Sequence, residues 1–480
     1  MSSLTRNTIY SFLNQIVLLV IPFITFPYIS RVLGPGYYGS INYATSIVAI
    51  FAVFAGTGLV GHATREIAVV KDDKEKLGAK FQELFIIQLA LTVCMFCLYG
   101  VFLSNLSGIN GEFLIFLITG LTMLTNLFTF QWFFVGIEEF KYITTRDVVI
   151  KIIFVICVFM FVNEKEDYLI YVLLNLGSFI LTALLNSCYL IKFIEIKKRN
   201  LSFSLHLRPV FLALIISFVS TTTLQLNSIL LGSIAAKENL GLYNVGIKMT
   251  TMLVAIVSNA FAVLLPRLSY LNSNNDHGSQ RKILNKTGHF LGIISIPACI
   301  GFMLYSNIII KILFGTEYMG AIVVSQITSL CLIIMPLVAI YAYYLYSTGR
   351  ERISIYAMLL ALVINLVANI TLTTKYLIVG AAITFVLTEL SKLIFYSLWL
   401  RRTGVKFNLF SMNYLSYCLI ATIAVVLPYL MFKPESIFVG IFIMLGSIIF
   451  YFIMLGIVKD KYFIDMIQII KSMLIRKKGQ

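Results

Sequence analysis

Seven ionisable residues, Arg31, Arg65, Arg146, Lys151, Lys248, Glu389 and Lys392, stand within or against long apolar runs of this 480-residue chain. A charge at the centre of a lipid-embedded helix costs about 2.5–3.5 kcal/mol on insertion scales, so each residue needs a compensating role. All but Glu389 are cations. Such a set suits an anionic cargo group such as phosphate, which Arg grips with a planar fork and Lys with a compact point charge. An exporter of cationic drugs driven by protons or sodium would instead favour intramembrane carboxylates. Structural roles compete with these. Lys392 follows Glu389 by three residues on one helical face and can form an ion pair with it. Lys151 lies about 7–8 Å along a helix from Arg146, and Lys248 about 10 Å from the outer end of its run. Either lysine can snorkel to the interface, and Arg31 and Arg65 can serve as interface anchors. His62 reads as a packed polar residue rather than a proton carrier.

The runs that hold these residues define the class. The chain is 59% hydrophobic and 12% charged, with mean hydropathy +0.93. Ordinary soluble domains are about 45–50% apolar and about 25% charged. Spanning the hydrocarbon takes about 20 apolar residues per helix. Fourteen apolar segments are expected at 8–30, 40–63, 82–103, 113–135, 146–162, 168–193, 209–233, 241–265, 288–311, 321–346, 353–374, 376–400, 413–431 and 436–458. The alternating pattern of a membrane β-barrel is absent. The expected fold is all-α, a polytopic membrane protein.

The basic residues set the orientation. With the N-terminus inside, 28 of the 37 Lys and Arg fall in inner loops and the tail, six in outer loops and three within segments. Both termini are therefore expected in the cytoplasm, and the net charge of +16 is mostly a topology signal. No basic surface interleaved with stacking aromatics points to nucleic acid. All seven cysteines sit in apolar runs, where Cys94 and Cys97 read as packing residues rather than a redox pair. No phosphate-binding GxxxxGK[ST] loop, HExxH motif or sizeable extramembrane domain is present. The expectation is transport without a cofactor or metal, rather than an enzyme.

Residues 36–50, GYYGSINYATSIVAI, resemble 241–255, GLYNVGIKMTTMLVA. Gly136–Glu138 matches Gly349–Glu351 at a similar offset. The two matches suggest a parallel six-plus-six repeat: a six-helix bundle at 1–200, a second at 201–408, and an extra helix pair with a basic amphipathic cytoplasmic tail at 409–480. Each half opens on a helix with a polar stripe, Ser11, Asn14, Gln15 and Thr25 in the first and Ser217, Thr221, Gln225 and Ser228 in the second. Pro22 and Pro27 suggest a bend in the first of these helices. In the tail, Phe463, Ile467, Ile470 and Leu474 recur at helical spacing, which predicts a helix lying on the anionic inner leaflet.

The stretch QWFFVGIEEFKYITTRDVVIK, residues 131–151, resembles the signature between the fourth and fifth helices of bacterial oligosaccharide flippases. These form the polysaccharide-transporter branch of the multidrug/oligosaccharidyl-lipid/polysaccharide exporter superfamily. PYISRVLGPGYYGSINYATSIV is similar to that family's opening helix pair, and GLYNVGIKM to the start of its eighth helix. Asp147 stands where the family more often has Asn. The resemblance implies that undecaprenyl-diphosphate-linked oligosaccharide units are moved from the inner to the outer leaflet of the bacterial cytoplasmic membrane, with Arg146 and Lys151 near the inner mouth of a cavity. It also implies membrane lipids as partners, with a polysaccharide polymerase and glycosyltransferases as further candidates. Flipping of a lipid-linked peptidoglycan precursor, multidrug antiport and glycan polymerisation are the alternatives.

Overall fold

The computed structural model describes residues 3–105, 111–194, 201–259, 261, 264–402, 412–432 and 436–468. Among them the fold is helical, with no strand. The helices are α1 (Ser3–Phe54), α2 (Val60–Val70), α3 (Lys74–Asn105), α4 (Phe113–Leu127), α5 (Gln131–Gly136), α6 (Phe140–Phe161), α7 (Tyr168–Leu190), α8 (Ser204–Ile234) and α9 (Lys237–Asn259). They continue as α10 (Leu264–Ser273), α11 (His277–Leu313), α12 (Ala321–Thr328), α13 (Cys331–Ser347), α14 (Glu351–Ala368), α15 (Thr374–Arg402), α16 (Met412–Ala421), α17 (Leu427–Phe432) and α18 (Ile437–Ile457). Among the described residues, ten helical stretches are long and apolar enough to cross a membrane, and the bent pair α12–α13 makes an eleventh. Helix α6 carries the charges of the hinge and is absent from that set.

Breaks within long helices divide them further. In α1 the break falls at Gly34, with φ 72° and ψ 169°, and not at Pro22 or Pro27. Proline keeps a helical φ, whereas only glycine enters this region without steric cost. The apolar segment expected at 40–63 stops at Phe54; Gly56, at φ 119°, turns the chain toward α2. Helix α14 passes through a π-helical turn, Asn369–Thr373, into α15, which breaks at Leu377 with φ 50° and ψ −121°. The two arms then pack against each other.

Contacts divide the chain into two compact units, Met1–Gly241 and Leu242–Gln480. In the first unit α1 lies along α4, α6 and α8, α4 packs on α7, and α2 on α5. The stretches that suggested the repeat begin at points of close backbone approach: a Cβ on Gly39 would collide with the Lys237 carbonyl oxygen, and one on Gly241 with that of Pro35. In the second unit α11 packs on α12, α13, α16 and α18. The repeat boundaries at 200 and 408 lie outside the described residues.

Helix α18 displays the lipid environment most plainly. Phe438, Phe442, Leu445, Ile449, Ile453 and Ile457 are exposed at helical spacing along one face. Ile443, Ser447, Tyr451 and Leu455 are buried on the other. In hydrocarbon the outward face carries no hydrophobic penalty, so packing of small and polar residues orients the helix.

The tail corrects one expectation. Residues 461–468 are helical, but Phe463 is buried and stacks on Phe452, with ring centroids 5.8 Å apart. Ile467 packs on the same cluster, built from α11, α16 and α18, and Asp465 pairs with Lys286 of α11 at 2.7 Å. These apolar residues cover protein rather than lipid. Ile470 and Leu474 lie outside the described residues.

Candidate substrate-binding site

The hinge at 128–139 is built by aromatic burial. Trp132, Phe133 and Phe134 of α5 are all nearly inaccessible, and Trp132 Nε1 donates to Gln88 Oε1 of α3 at 2.9 Å. Holding them there forces two non-glycine residues into the left-handed region, Phe130 at φ 44° and Glu138 at φ 63°. Such conformations cost of order 1–3 kcal/mol each and persist only where the surroundings over-determine them. Lys71, in the turn after α2, pairs with Glu138 at 2.7 Å; the hydrogen bond to that carboxylate raises the lysine's pKa above its usual range. The charged hinge is thus a tight turn pinned on one side by aromatic packing and on the other by an ion pair.

Helix α6 leaves this turn and presents Arg146 to the interior, where it is 5% exposed. Its Nη1 donates to Asn186 Oδ1 of α7 at 2.6 Å, its Nη2 to Gln131 Oε1 of α5 at 3.0 Å. Nη2 and Nε both reach Asp147 Oδ1, at 2.7 and 3.1 Å. Tyr142 donates to the same Asn186 oxygen at 3.0 Å, and the Asn186 amide bonds the Thr129 carbonyl. Asp147 in turn accepts from Asn14 of α1 at 3.2 Å. One guanidinium therefore ties together α5, α6 and α7, and through Asp147 α1. A planar five-donor fork is suited to this; an ammonium is not.

Lys151, one helical turn beyond Asp147, is partly buried, with its Nζ 5.6 Å from the Phe154 ring centroid. The structure brings Arg146 and Lys151 onto one helix beside Asn14. Arg31 lies on α1 and is exposed; at helical rise it is roughly 25 Å along from Asn14. Arg65 is exposed on α2. In the second unit, Lys248 is exposed on α9. Glu389, 3% exposed, accepts from Lys392 Nζ at 2.5 Å. The preceding residue, Thr388, accepts from Asn365 of α14 at 2.9 Å. Asn369 and Thr373 extend the ladder at 2.9 and 2.8 Å.

The charge pattern found Arg146 but missed Asn186, Gln131 and the Asn365–Asn369–Thr373 ladder. An amide inside an apolar run is a signal in its own right, because an unpaired one in hydrocarbon is expensive. The i, i+4, i+8 spacing of that ladder was available in the sequence. For the Glu389–Lys392 pair, Glu389→Gln keeps an acceptor but removes the charge. A loss of about 1.5–3 kcal/mol is expected, read as a lower thermal midpoint in detergent. An unchanged midpoint would show that the ammonium relaxes to water without cost.

The comparisons fit this architecture. The model of the polysaccharide biosynthesis protein family matches residues 4–272, more than half of the sequence, and the chain belongs to that family. A candidate O-antigen transporter of Escherichia coli (strain K12) is 25% identical over 397 residues, 81% of this chain and 94% of the relative. Among solved structures, the lipid II flippase MurJ in an inward closed conformation superposes with TM-score 0.75 at 15% identity, over 96% of this chain and 100% of that one. An inward-facing multidrug resistance MATE family transporter of the MOP superfamily gives 0.64 at 14% identity, over 83% and 94%. At such identities the last two establish a shared fold.

Proposed function

We propose that this protein flips undecaprenyl-diphosphate-linked oligosaccharide units from the inner to the outer leaflet of the bacterial cytoplasmic membrane, with both termini in the cytoplasm. Glycosyltransferases would build its cargo and a polymerase would consume it. The kinship to a candidate O-antigen transporter across nearly all of that relative's length supports this reading. One observation carries it against export of cationic drugs. Among the described residues, three acidic side chains, Glu83, Asp147 and Glu389, lie inside long helices away from their ends, and each has a cation within 3.1 Å. Carboxylates already committed in this way cannot also hold a cationic drug without breaking those pairs. Cations are the more numerous intramembrane charges, and they match a diphosphate headgroup.

In this reading Arg31, Arg65, Lys151 and Lys248 meet the cargo, and Arg146 positions Lys151. Lys151→Ala should reduce surface-glycan export about tenfold or more, the loss of one charge-assisted hydrogen bond, at normal protein abundance in the membrane. Lys151→Arg should retain most export. Full export by Lys151→Ala would assign the lysine to snorkelling.

A further inference from the structure

A second polar cluster is buried in the first unit, where α2, α3 and the start of α8 meet. His206 of α8 is 1% exposed. Its Nδ1 lies 3.1 Å from Nε2 of His62 on α2, and its Nε2 lies 3.0 Å from Glu83 Oε2 of α3. Glu83 also accepts from the Ser202 backbone N–H, two residues before α8 begins, at 2.7 Å. Lys80, one turn earlier on α3, reaches Glu83 at 3.1 Å and Glu66 of α2 at 3.6 Å, and its Nζ lies 3.2 Å from His206 Nε2. The charged groups around the histidine pair are thus Arg65 and Glu66 on α2 and Lys80 and Glu83 on α3. Arg208 on α8 is exposed, and the 57–59 turn contributes no charge. None of these groups belongs to the α6 network.

The proton count of this chain of contacts is restrictive. A 3.1 Å N···N contact holds one proton between the two nitrogens. In the tautomer in which His206 Nε2–H donates to Glu83, and not the one in which Nε2 accepts from Lys80, His62 Nε2–H donates to His206 Nδ1 while both rings are neutral. A first added proton is shared by the pair without breaking either contact, since one nitrogen between the rings still accepts. A second proton puts hydrogens on both facing nitrogens and like charges on both rings, so the contact must open.

We propose that His62, His206 and Glu83 form a proton-operated latch that fastens the first turn of α8 to α2 and α3, closed while the histidine pair holds at most one proton and opened by the second. The latch draws on histidine, the side chain whose unperturbed protonation range lies nearest physiological pH. Its test needs neither cargo nor a transport assay.

Hydrogen exchange of peptides covering residues 202–214, on the full chain in nanodiscs, reads the latch directly. After correction for intrinsic rates, the wild type should exchange at least about fivefold faster at pH 5 than at pH 7.5, as the local opening becomes populated. In H62Q, the glutamine carbonyl accepts from a protonated His206 and takes up no second proton. That variant should change less than about twofold over the same range. E83Q, which loses the anion, should exchange fast at both pH values. His62 is half-buried and glutamine keeps an acceptor toward His206 Nδ1, so H62Q is expected to fold. Equal acceleration in wild type and H62Q, an unresponsive wild type, or slow exchange in E83Q at both pH values would overturn the latch.

Discussion

Arg146→Ala is expected to lose about 3–5 kcal/mol of stability, because removing one partner of a buried pair leaves the other charge uncompensated. Asp147 loses its 2.7 Å partner, while Gln131 and Asn186 lose donors to oxygens that face the interior. The measurement is thermal or SDS-induced unfolding of the purified protein, with the double variant Arg146→Ala/Asp147→Ala alongside. The double variant should recover part of the loss, since neither charge is then stranded, giving a coupling of about 0.5–3 kcal/mol for residues in direct contact. Arg146→Lys should fall between, because an ammonium cannot make the fork. If Arg146→Ala unfolds like wild type and loses only transport, the guanidinium serves the cargo headgroup and not the helix junction.

The second large effect is on the driving force. A lipid diphosphate carries about two negative charges, and moving each charge through about 100 mV is worth about 2.3 kcal/mol. With the cell interior negative, outward movement of that headgroup is downhill by up to roughly 4–5 kcal/mol. Movement of protein cations with the headgroup would offset part of this. The acidic side chains inside the helices are held in ion pairs, so they form no free carboxylate relay. Membrane potential alone should therefore drive net flipping in proteoliposomes holding a potassium–valinomycin potential and no pH or sodium gradient. Equal rates at zero and inside-negative potential, with acceleration by an ion gradient alone, would show that a coupled ion supplies the energy.

Much of the helical plan was legible because apolar length reports directly on a lipid environment. The breaks were less so. Two prolines in α1 drew attention, yet the helix breaks at Gly34, because a proline's φ remains helical and a glycine's need not. The hinge stood out by its charges, but the commitment of Arg146 did not. Its partners Gln131 and Asn186 lie 15 and 40 residues away, and sequence spacing on one helix says nothing of amides arriving from others. The tail shows the same limit. Apolar residues at helical spacing declare that a face is buried, without declaring whether lipid or protein covers it; Phe463 and Ile467 are covered by protein. His62 was legible only as a lone polar residue, since the histidine that meets it is 144 positions distant.

The central claim is that an anionic lipid-linked glycan crosses the membrane through this protein. Its most direct test is reconstitution of the purified chain in liposomes containing undecaprenyl-diphosphate-linked oligosaccharide, with an inside-negative potential and a membrane-impermeant lectin or glycosidase reporting on leaflet exposure. The account predicts rapid transbilayer movement of the diphosphate lipid, loss of that movement in Lys151→Ala, and no potential-driven uptake or release of a cationic dye. A protein that leaves the glycan lipid in its original leaflet while moving the dye would contradict it.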